Sequence, residues 1–208
     1  LDVLGPDVNE SYYKFAVNKQ GAVRFGMGAV KGVGRSAVET IVKNRQEDGS
    51  FKSVFDLTKR IDLRAANKKA FENLAVAGGF DSFGTSHRAQ YFHDEGDGIT
   101  FLEKVIKYGA KFQENEVSLF GDASEVQIPE PMVPPCEEWG TMEKLRREKE
   151  VVGIYISGHP LDDFKTEIKS FCNANVACAN DLPSYVNREL TFAGVITDVQ
   201  HRVSKNGK

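Results

Sequence analysis

The stretch that decides the fold is Gly26-Met27-Gly28-Ala29-Val30-Lys31-Gly32-Val33-Gly34, and a helical pattern follows it directly. The apolar residues after it recur with the spacing of one helix face, at Ala37, Val38, Ile41 and Val42. Glycines on either side of small apolar residues let the backbone turn tightly, and Val33 should point inward and pin the turn. The start of the next helix offers free N–H groups and a partial positive charge, which is a geometry that holds phosphate.

Two basic side chains stand beside this first glycine turn and add positive charge to it. The candidate DNA-binding residues are therefore Lys31, Gly32, Val33, Gly34 and Arg35. The stretch resembles a helix-hairpin-helix motif, which grips the DNA backbone without reading its sequence. The alternative is a glycine-rich turn that only connects packed helices, and the spacing alone does not choose between the two. A dinucleotide-binding fold is disfavoured because these glycines lie in no visible strand-helix-strand unit.

A second glycine turn runs from Ala77 to Gly84, between two predicted helices. The first of these helices covers 67–77, with Asn67 as its cap and Gly78-Gly79 as its stop, and Ser86 should cap the next one. Positive charge comes from Arg64, Lys68, Lys69, His87 and Arg88, whereas Asp81 should close the turn. Taken alone, this turn favours a structural role. As the partner of the first turn it contributes Lys68, Gly79 and Arg88 as candidate DNA-binding residues.

The remaining pattern predicts a mainly α fold with little sheet. A small β-hairpin is expected from Tyr12–Val17 and Ala22–Phe25, joined by a turn. Further helices are predicted at Ser36–Arg45, Val54–Arg60, Phe101–Phe112, Thr141–Val152 and Asp162–Ser170. Four prolines between residues 129 and 135 favour an extended linker. The β-branched run Glu189–Val199 predicts a strand with a bend at Gly194.

Composition limits the functional classes. The 208 residues are 40% hydrophobic and 27% charged with a net charge of −3, which is typical of a soluble globular protein. No apolar run approaches the roughly 20 residues of a membrane helix. The three cysteines lack the spacing of a disulfide framework or zinc site, so we expect free thiols in a reducing cytoplasm. We expect both ends to be cuts within a longer protein.

Catalytic and metal-binding patterns are not found in the sequence. The four histidines do not cluster, and the acidic groups at residues 94–97 and 162–163 fall in loops or at a helix start, where caps and solvated charge are the expected roles. No serine lies in a nucleophile-elbow pattern. We therefore predict no catalytic residue and no metal site in this chain.

A third candidate feature is the segment Glu116-Val117-Ser118-Leu119-Phe120-Gly121, which precedes the proline-rich stretch. A Leu-Phe pair in such a position is unusual for solvent-facing sequence, and exposed apolar anchors commonly mark binding peptides. The segment resembles the pentapeptide with which bacterial polymerases dock into a pocket on the sliding clamp. Glu116 stands where the usual residue is Gln, which loses an amide donor. The alternative is that the Leu119 and Phe120 side chains are buried against the helical domain and bind no partner.

Several of these stretches, in this order, resemble the α subunits of bacterial DNA polymerase III, a family of replicative polymerases. The resemblance rests on 6–9, 25–34, 67–69 with 80–82, 118–121, 148–153 and 157–161, and it covers nearly the whole chain. It implies the end of a fingers region at 1–25, a tandem helix-hairpin-helix domain at 26–112 and a clamp-binding peptide at 113–121. It further implies a linker at 122–138, connecting helices at 139–170 and the incomplete start of an oligonucleotide-binding (OB) barrel at 171–208.

The resemblance implies a non-catalytic part of a DNA-directed DNA polymerase. The family's catalytic carboxylates and Mg²⁺ would lie upstream of this chain, which should be inactive alone and hold no cofactor of its own. A monovalent cation in the hairpin carbonyls stays open. The implied partners are duplex DNA, the sliding clamp at Glu116, Val117, Ser118, Leu119 and Phe120, and other replisome subunits, with no membrane. Two alternatives remain, a structural scaffold without DNA contact and a helix-hairpin-helix DNA-repair enzyme.

Overall fold

The computed structural model describes residues 2–118, 128–196 and 199–200, and it leaves the side chains of 116–118 undescribed. The chain divides into two compact units, Leu1–Ser157 and Gly158–Lys208. The helices of the first unit are α1 (Arg35–Asp48), α2 (Val54–Arg60), α3 (Lys68–Ala77), α4 (Arg88–Tyr91), α5 (Phe101–Ser118) and α6 (Thr141–Val152). The described part of the chain is therefore mainly helical, as predicted.

The first unit begins with a three-stranded sheet made of β1 (Val3–Leu4), β2 (Ala16–Val17) and β3 (Val23–Arg24). The predicted hairpin is confirmed, because β2 and β3 pair antiparallel with Val17 opposite Val23. The turn between them is closed by the Asn18 carboxamide, which accepts the Gln20 and Ala22 N–H groups at 3.0 Å each. The β1 strand, which the sequence did not indicate, pairs parallel to β3 on its other edge.

Local signals explain where the helices begin and end. At the start of α2, the Ser53 hydroxyl accepts the Asp56 N–H, and at the start of α3, the Asn67 side chain accepts the Ala70 N–H. Gly78 ends α3 in the left-handed conformation with φ +88°, which glycine adopts without a steric cost. The predicted cap at Ser86 is wrong by one residue, since α4 begins after His87, whose N–H is bonded by the Gln90 side chain.

The core of the first unit is a continuous apolar cluster between these helices. Its centre is aromatic: Phe55 of α2 meets Phe101 and Tyr108 of α5 edge-on, with ring centroids 6.0 and 5.7 Å apart. Gly109 lets α5 approach the α2 backbone, because a Cβ there would lie 2.6 Å from the Thr58 carbonyl oxygen. The glycine is therefore what allows α2 and α5 to pack at this spacing.

The proline-rich stretch is extended, as predicted, but its described part does not behave as a free linker. Ile128 and Val133 pack against the core. The Gln90 side chain donates to the Pro134 carbonyl at 2.8 Å, and Glu130 forms an ion pair with Lys59 at 3.0 Å. The stretch is bound because Ile128 and Val133, which flank or separate the prolines, pack their side chains against the core. Residues 128–138 are thus a strap bound along the helical unit.

Helix α6, predicted as part of a separate connecting region, belongs to the first unit and packs against α3. Its Leu145 is buried in the interior. The carboxylate of its Glu148 is buried too, and bonds the Arg88 guanidinium at 2.9 Å and the N–H groups of Ile156 and Ser157. Helix α6 therefore supplies both apolar and ionic contacts to the helical core, and the first compact unit extends to Ser157, while the predicted domain limits stay a prediction.

The second unit contains a 3₁₀ turn at Asp162–Phe164, α7 (Lys165–Phe171) and a kinked 3₁₀ segment at Val176–Tyr185. The strand predicted at Glu189–Val199 does not form in the described residues 189–196, which make no ladder with another strand. A strand needs a neighbour for its backbone groups, and here the Thr191 carbonyl instead accepts the N–H of Asn173 at 3.3 Å. The OB barrel stays an expectation.

Candidate nucleic-acid interface

The first glycine turn has the shape that the sequence predicted. A 3₁₀ turn at Met27–Ala29 leads into Gly32, whose φ of +73° favours glycine, and α1 follows from Arg35. Met27 and Val33 are buried, so Val33 does point inward and pin the turn. The backbone between them turns tightly because the Val33 N–H donates to the Val30 carbonyl at 3.1 Å.

Two other helices hold this turn in place. The Lys31 N–H donates to the Val151 carbonyl at the end of α6 at 2.8 Å. The Lys31 carbonyl accepts a hydrogen bond from the buried Asn73 side chain of α3. Both contacts join residues far apart in sequence, so no local pattern indicated them. They fix the backbone of the turn while the Lys31 side chain points into solvent.

The outer face of the turn is open. Lys31, Gly32, Gly34 and Arg35 are all exposed. Gly34 provides no side-chain cap to α1, so the N–H groups of its first turn remain available to an anion. The Arg35 guanidinium bonds the Glu39 carboxylate at 2.8 Å, and this hydrogen bond raises the pKa of Arg35. The arrangement can accept a phosphate oxygen on backbone N–H groups, with the exposed Lys31 and Arg35 side chains on the same turn.

Sequence reasoning did not place one basic residue at this turn. Lys69 lies against Gly32, because a Cβ at Gly32 would come 3.6 Å from the Lys69 Cγ. Its ammonium is exposed and lies 3.2 Å from the Glu72 carboxylate. Lys69 sits on α3 four residues before Asn73, which bonds the turn, and this i,i+4 spacing is the signal that pairs the two positions.

Lys68 is the predicted DNA-binding residue that stands at the start of α3. Its ammonium bonds the Glu103 carboxylate of α5 at 2.5 Å and lies 3.6 Å from Glu72. The Lys68 hydrogen bond lowers the pKa of Glu103 to about 2. Two acidic neighbours therefore compete with any phosphate for this exposed lysine.

The second glycine turn does not present its amides to solvent, which corrects the expectation for Gly79. Gly78 and Gly79 are both buried. The Gly79 N–H donates to the Leu74 carbonyl at 2.7 Å, and its carbonyl accepts the Val8 N–H at 3.0 Å. The physical reason is that Phe80, next in the chain, is fully buried and draws the turn into the core. This turn is structural.

Arg88 is also removed from the candidate DNA-binding residues. Its side chain is only 7% exposed and bonds Asp81, Glu148 and the Val76 carbonyl. Burial disfavours its charge, but the hydrogen bonds to Asp81 and then Glu148 outweigh that effect and raise the pKa of Arg88. Asp81 closes the turn, as predicted, by binding this guanidinium.

The predicted clamp-binding peptide falls largely outside the described residues. The backbone of Glu116, Val117 and Ser118 forms the last turn of α5, which runs six residues beyond the predicted end at Phe112. Leu119 and Phe120 lie outside the part of the chain that the structure describes. The peptide therefore stays a prediction.

Within 2–118, 128–196 and 199–200, no three His, Cys, Asp or Glu side chains come together as metal ligands. Among the helices in this part of the chain, none combines the length and apolarity needed to cross a bilayer.

An exposed glycine turn that leads into an uncapped helix and carries exposed basic residues is typical of a helix-hairpin-helix motif. The family model described as "Helix-hairpin-helix motif" matches residues 1–91, which contain both glycine turns. The chain thus carries the motif that the first turn predicted.

The more particular likeness is to the DNA polymerase III subunit alpha. The relative from Campylobacter jejuni is 35% identical over 215 residues, and that from Vibrio cholerae is 34% identical over 210. The Escherichia coli subunit is 32% identical over 207 residues. Each match covers 100% of this chain but only 17–18% of the relative. Over its whole length, the chain is therefore homologous to one segment of the DNA polymerase III alpha subunit, and the predicted resemblance is confirmed.

Proposed function

We propose that this chain is a non-catalytic segment of a replicative DNA polymerase that binds the backbone of duplex DNA and tethers the enzyme to the sliding clamp. The observation that carries the DNA half is the exposed turn at Lys31–Gly32, held rigidly by α3 and α6 and followed by the uncapped start of α1. The homology to DNA polymerase III alpha subunits supports the same role. Duplex DNA, the clamp and other replisome subunits would be its partners, in the bacterial cytoplasm.

Binding at this turn is independent of DNA sequence, because backbone N–H groups and ammonium groups contact phosphates and no base edge. The phosphate oxygen lies on the N–H groups at the start of α1, with Lys31, Arg35 and Lys69 around it. Preformed hydrogen bonds on both sides of Lys31 reduce the ordering cost of binding. The net charge of −3 is compatible with this, since affinity for phosphate depends on the local field.

The double substitution Lys31→Ala with Arg35→Ala tests the DNA half. The plot of log affinity against log salt has a negative slope, and each lost phosphate contact should make it less steep by about 0.9. The slope of the double variant should therefore be less steep by about 2. At 0.1 M salt, this corresponds to tens of fold in affinity for duplex DNA. Fluorescence anisotropy with a labelled blunt duplex over a salt series measures both quantities.

Lys165→Ala is the matched control, because Lys165 is similarly exposed and similarly ion-paired, with Asp162 at 3.0 Å, but lies in the second unit. Its salt slope should equal that of the unchanged chain. If the chain shows no affinity for duplex DNA even in low salt, the DNA half of the proposal is wrong.

The proposed tether to the sliding clamp rests on the amino-acid sequence of residues 116–120. Replacing Leu119 and Phe120 with Ala should abolish binding to the bacterial sliding clamp, since these are the apolar anchors of the peptide. Glu116→Gln should strengthen binding, because it restores the amide donor of the usual peptide. Surface plasmon resonance with immobilised clamp measures both changes. Unchanged affinity in the double Ala variant would refute the tether.

A structural role is the second candidate, and one observation favours it for the second glycine turn. Gly78 and Gly79 are buried and bonded within the protein, so this turn serves as a connector between α3 and α4. If the first turn were also only a connector, the double substitution of Lys31 and Arg35 in the parent polymerase would leave processivity unchanged. That experiment separates the two functions.

A further inference from the structure

Three aromatic side chains form an exposed surface on the first unit, beside the first glycine turn. Tyr12 is 48% exposed, Tyr13 is 39% exposed and Phe15 is 52% exposed, with the exposed Lys14 between them. We call these three rings the aromatic strip. Each ring carries a large apolar area whose burial would be favourable, so their common exposure in one short segment marks a binding surface.

The rings are held in position although they are exposed. The Arg45 guanidinium lies 4.9 Å from the centre of the Tyr12 ring, and it is itself fixed by donating to the Val8 carbonyl at 2.7 Å. Phe15 rests edge-on against the buried Phe25, with ring centroids 4.4 Å apart. A ring supported on one side and open on the other can stack a flat ligand without losing much conformational entropy.

The aromatic strip is continuous with the first glycine turn. The Met27 N–H donates to the Tyr12 carbonyl at 2.8 Å, and the Gly28 N–H donates to the Tyr13 carbonyl at 3.1 Å. The Tyr13 ring covers Gly28 so closely that a Cβ there would collide with it. The Arg35 guanidinium lies 5.6 Å from the same ring. Tyr13 therefore borders both the turn and the start of α1.

The cations beside the aromatic strip are spread along α1. Tyr13 is next to Arg35 at the start of α1, and Tyr12 is next to Arg45, ten residues further along that helix. Ten helical residues span about 15 Å, whereas successive nucleotides of one DNA strand rise about 3.4 Å when stacked. The Cα atoms of the two arginines are thus separated along α1 by the rise of several stacked nucleotides, so the two cations can meet different phosphates of one strand.

Aromatic rings alternating with cations are the chemistry that binds single-stranded nucleic acid, since any base can stack on a ring while its phosphate meets a cation. Within a duplex each base is already stacked on both faces, and only the terminal pair at each end has a free face. We propose that the aromatic strip binds unpaired bases of a strand that continues from the duplex held at the first glycine turn. This inference rests on the proposed function, and it names the DNA species as a duplex with a single-stranded extension.

The test compares two labelled DNA molecules bound by the full 208-residue chain, a blunt duplex and the same duplex with a single-stranded overhang. The overhang should raise affinity in fluorescence anisotropy. Tyr12→Leu and Phe15→Leu keep an apolar side chain but remove the ring, so each should lower overhang affinity by about fivefold or more and leave blunt-duplex affinity unchanged. Tyr12→Phe keeps the ring and should behave like the unchanged chain.

A second measurement needs no variant. 2-Aminopurine placed in the overhang should change its fluorescence on binding, whereas 2-aminopurine within the duplex should not. Equal affinity for blunt and overhang DNA, with no response from the overhang probe, would overturn the inference and leave the aromatic strip as a protein contact, while duplex binding would still stand. Binding to single-stranded DNA without any duplex affinity would support the strip and refute the duplex proposal.

Discussion

Glu148→Gln should lower the free energy of unfolding of the first unit by about 1–3 kcal/mol, the typical cost of leaving buried hydrogen-bonding groups unsatisfied, because Arg88 keeps its ion pair with Asp81. One oxygen of the Glu148 carboxylate accepts from the Arg88 guanidinium at 2.9 Å, and the other accepts two backbone N–H groups, from Ile156 and Ser157. The substituted amide keeps the volume but removes the charge and puts an NH₂ where an acceptor is needed. Urea unfolding followed by circular dichroism measures the change.

The control lies on the same helix. Glu150 is exposed and pairs with Arg146 at 2.8 Å, so Glu150→Gln should cost less than about 1 kcal/mol. Replacing both members of the buried pair, Arg88→Met with Glu148→Leu, should recover much of the loss because no unpaired charge remains in the interior. A cost below about 1 kcal/mol for Glu148→Gln would show that the pair contributes little.

The same carboxylate makes stability depend on pH. Burial opposes its charge, but hydrogen bonds from Ser157, Ile156 and Arg88 outweigh burial and lower the pKa of Glu148 in the folded state. A lowered carboxyl pKa adds stability above the unfolded value of about 4.3, and that stability is lost as pH falls through the folded value. Acidification below pH 5 should therefore destabilise the unchanged chain more than the Glu148→Gln variant.

Gly109→Ala should destabilise the first unit by about 1–3 kcal/mol, although alanine is the better helix former by about 1 kcal/mol. The added Cβ would lie 2.6 Å from both the carbonyl oxygen and the Cβ of Thr58. The backbone oxygen cannot rotate away, so α2 and α5 must separate and loosen the contacts of Phe55 with Phe101 and Tyr108. Thermal and urea unfolding measure this effect.

Gly140→Ala is the matched control, because a Cβ at that position meets no atom within 4 Å and its φ of −59° suits any residue. Gly140 is the N-cap of α6, where alanine is a weaker cap than glycine, so the substitution should cost less than about 1 kcal/mol. A Gly109→Ala variant as stable as this control would mean that the two helices separate at no cost.

Short-range sequence signals set the limits of several helices. Helices α2 and α6 occupy the predicted ranges, Val54–Arg60 and Thr141–Val152, and α3 begins after Asn67 and ends at Gly78, as predicted. The residues at which a helix begins and ends depend on groups within about four positions, such as a side-chain cap or a glycine in the left-handed conformation. The first glycine turn was predicted for the same reason, since its φ at Gly32 and its inward Val33 are local properties.

Other features depend on residues that meet only in the folded chain. The two glycine turns look alike in sequence, yet one faces solvent and the other is buried by Phe80 and bonded to Val8. Arg88 was predicted to meet phosphate, and an acidic residue 60 positions away on α6 binds it instead. The aromatic strip likewise depends on distant residues, because Arg45 and Phe25 support its rings.

The amino-acid sequence by itself determined the helical class, most helix limits, the phosphate-compatible first turn and the relation to DNA polymerase III alpha subunits. Those properties follow from short-range backbone preferences and from motifs that remain recognisable in order. Tertiary structure alone decided which basic residues face solvent, which glycine amides remain free and where the first unit ends. Burial and ion pairing depend on contacts between residues that are distant in sequence. The local sequence of two similar turns therefore does not indicate which of them the core will cover.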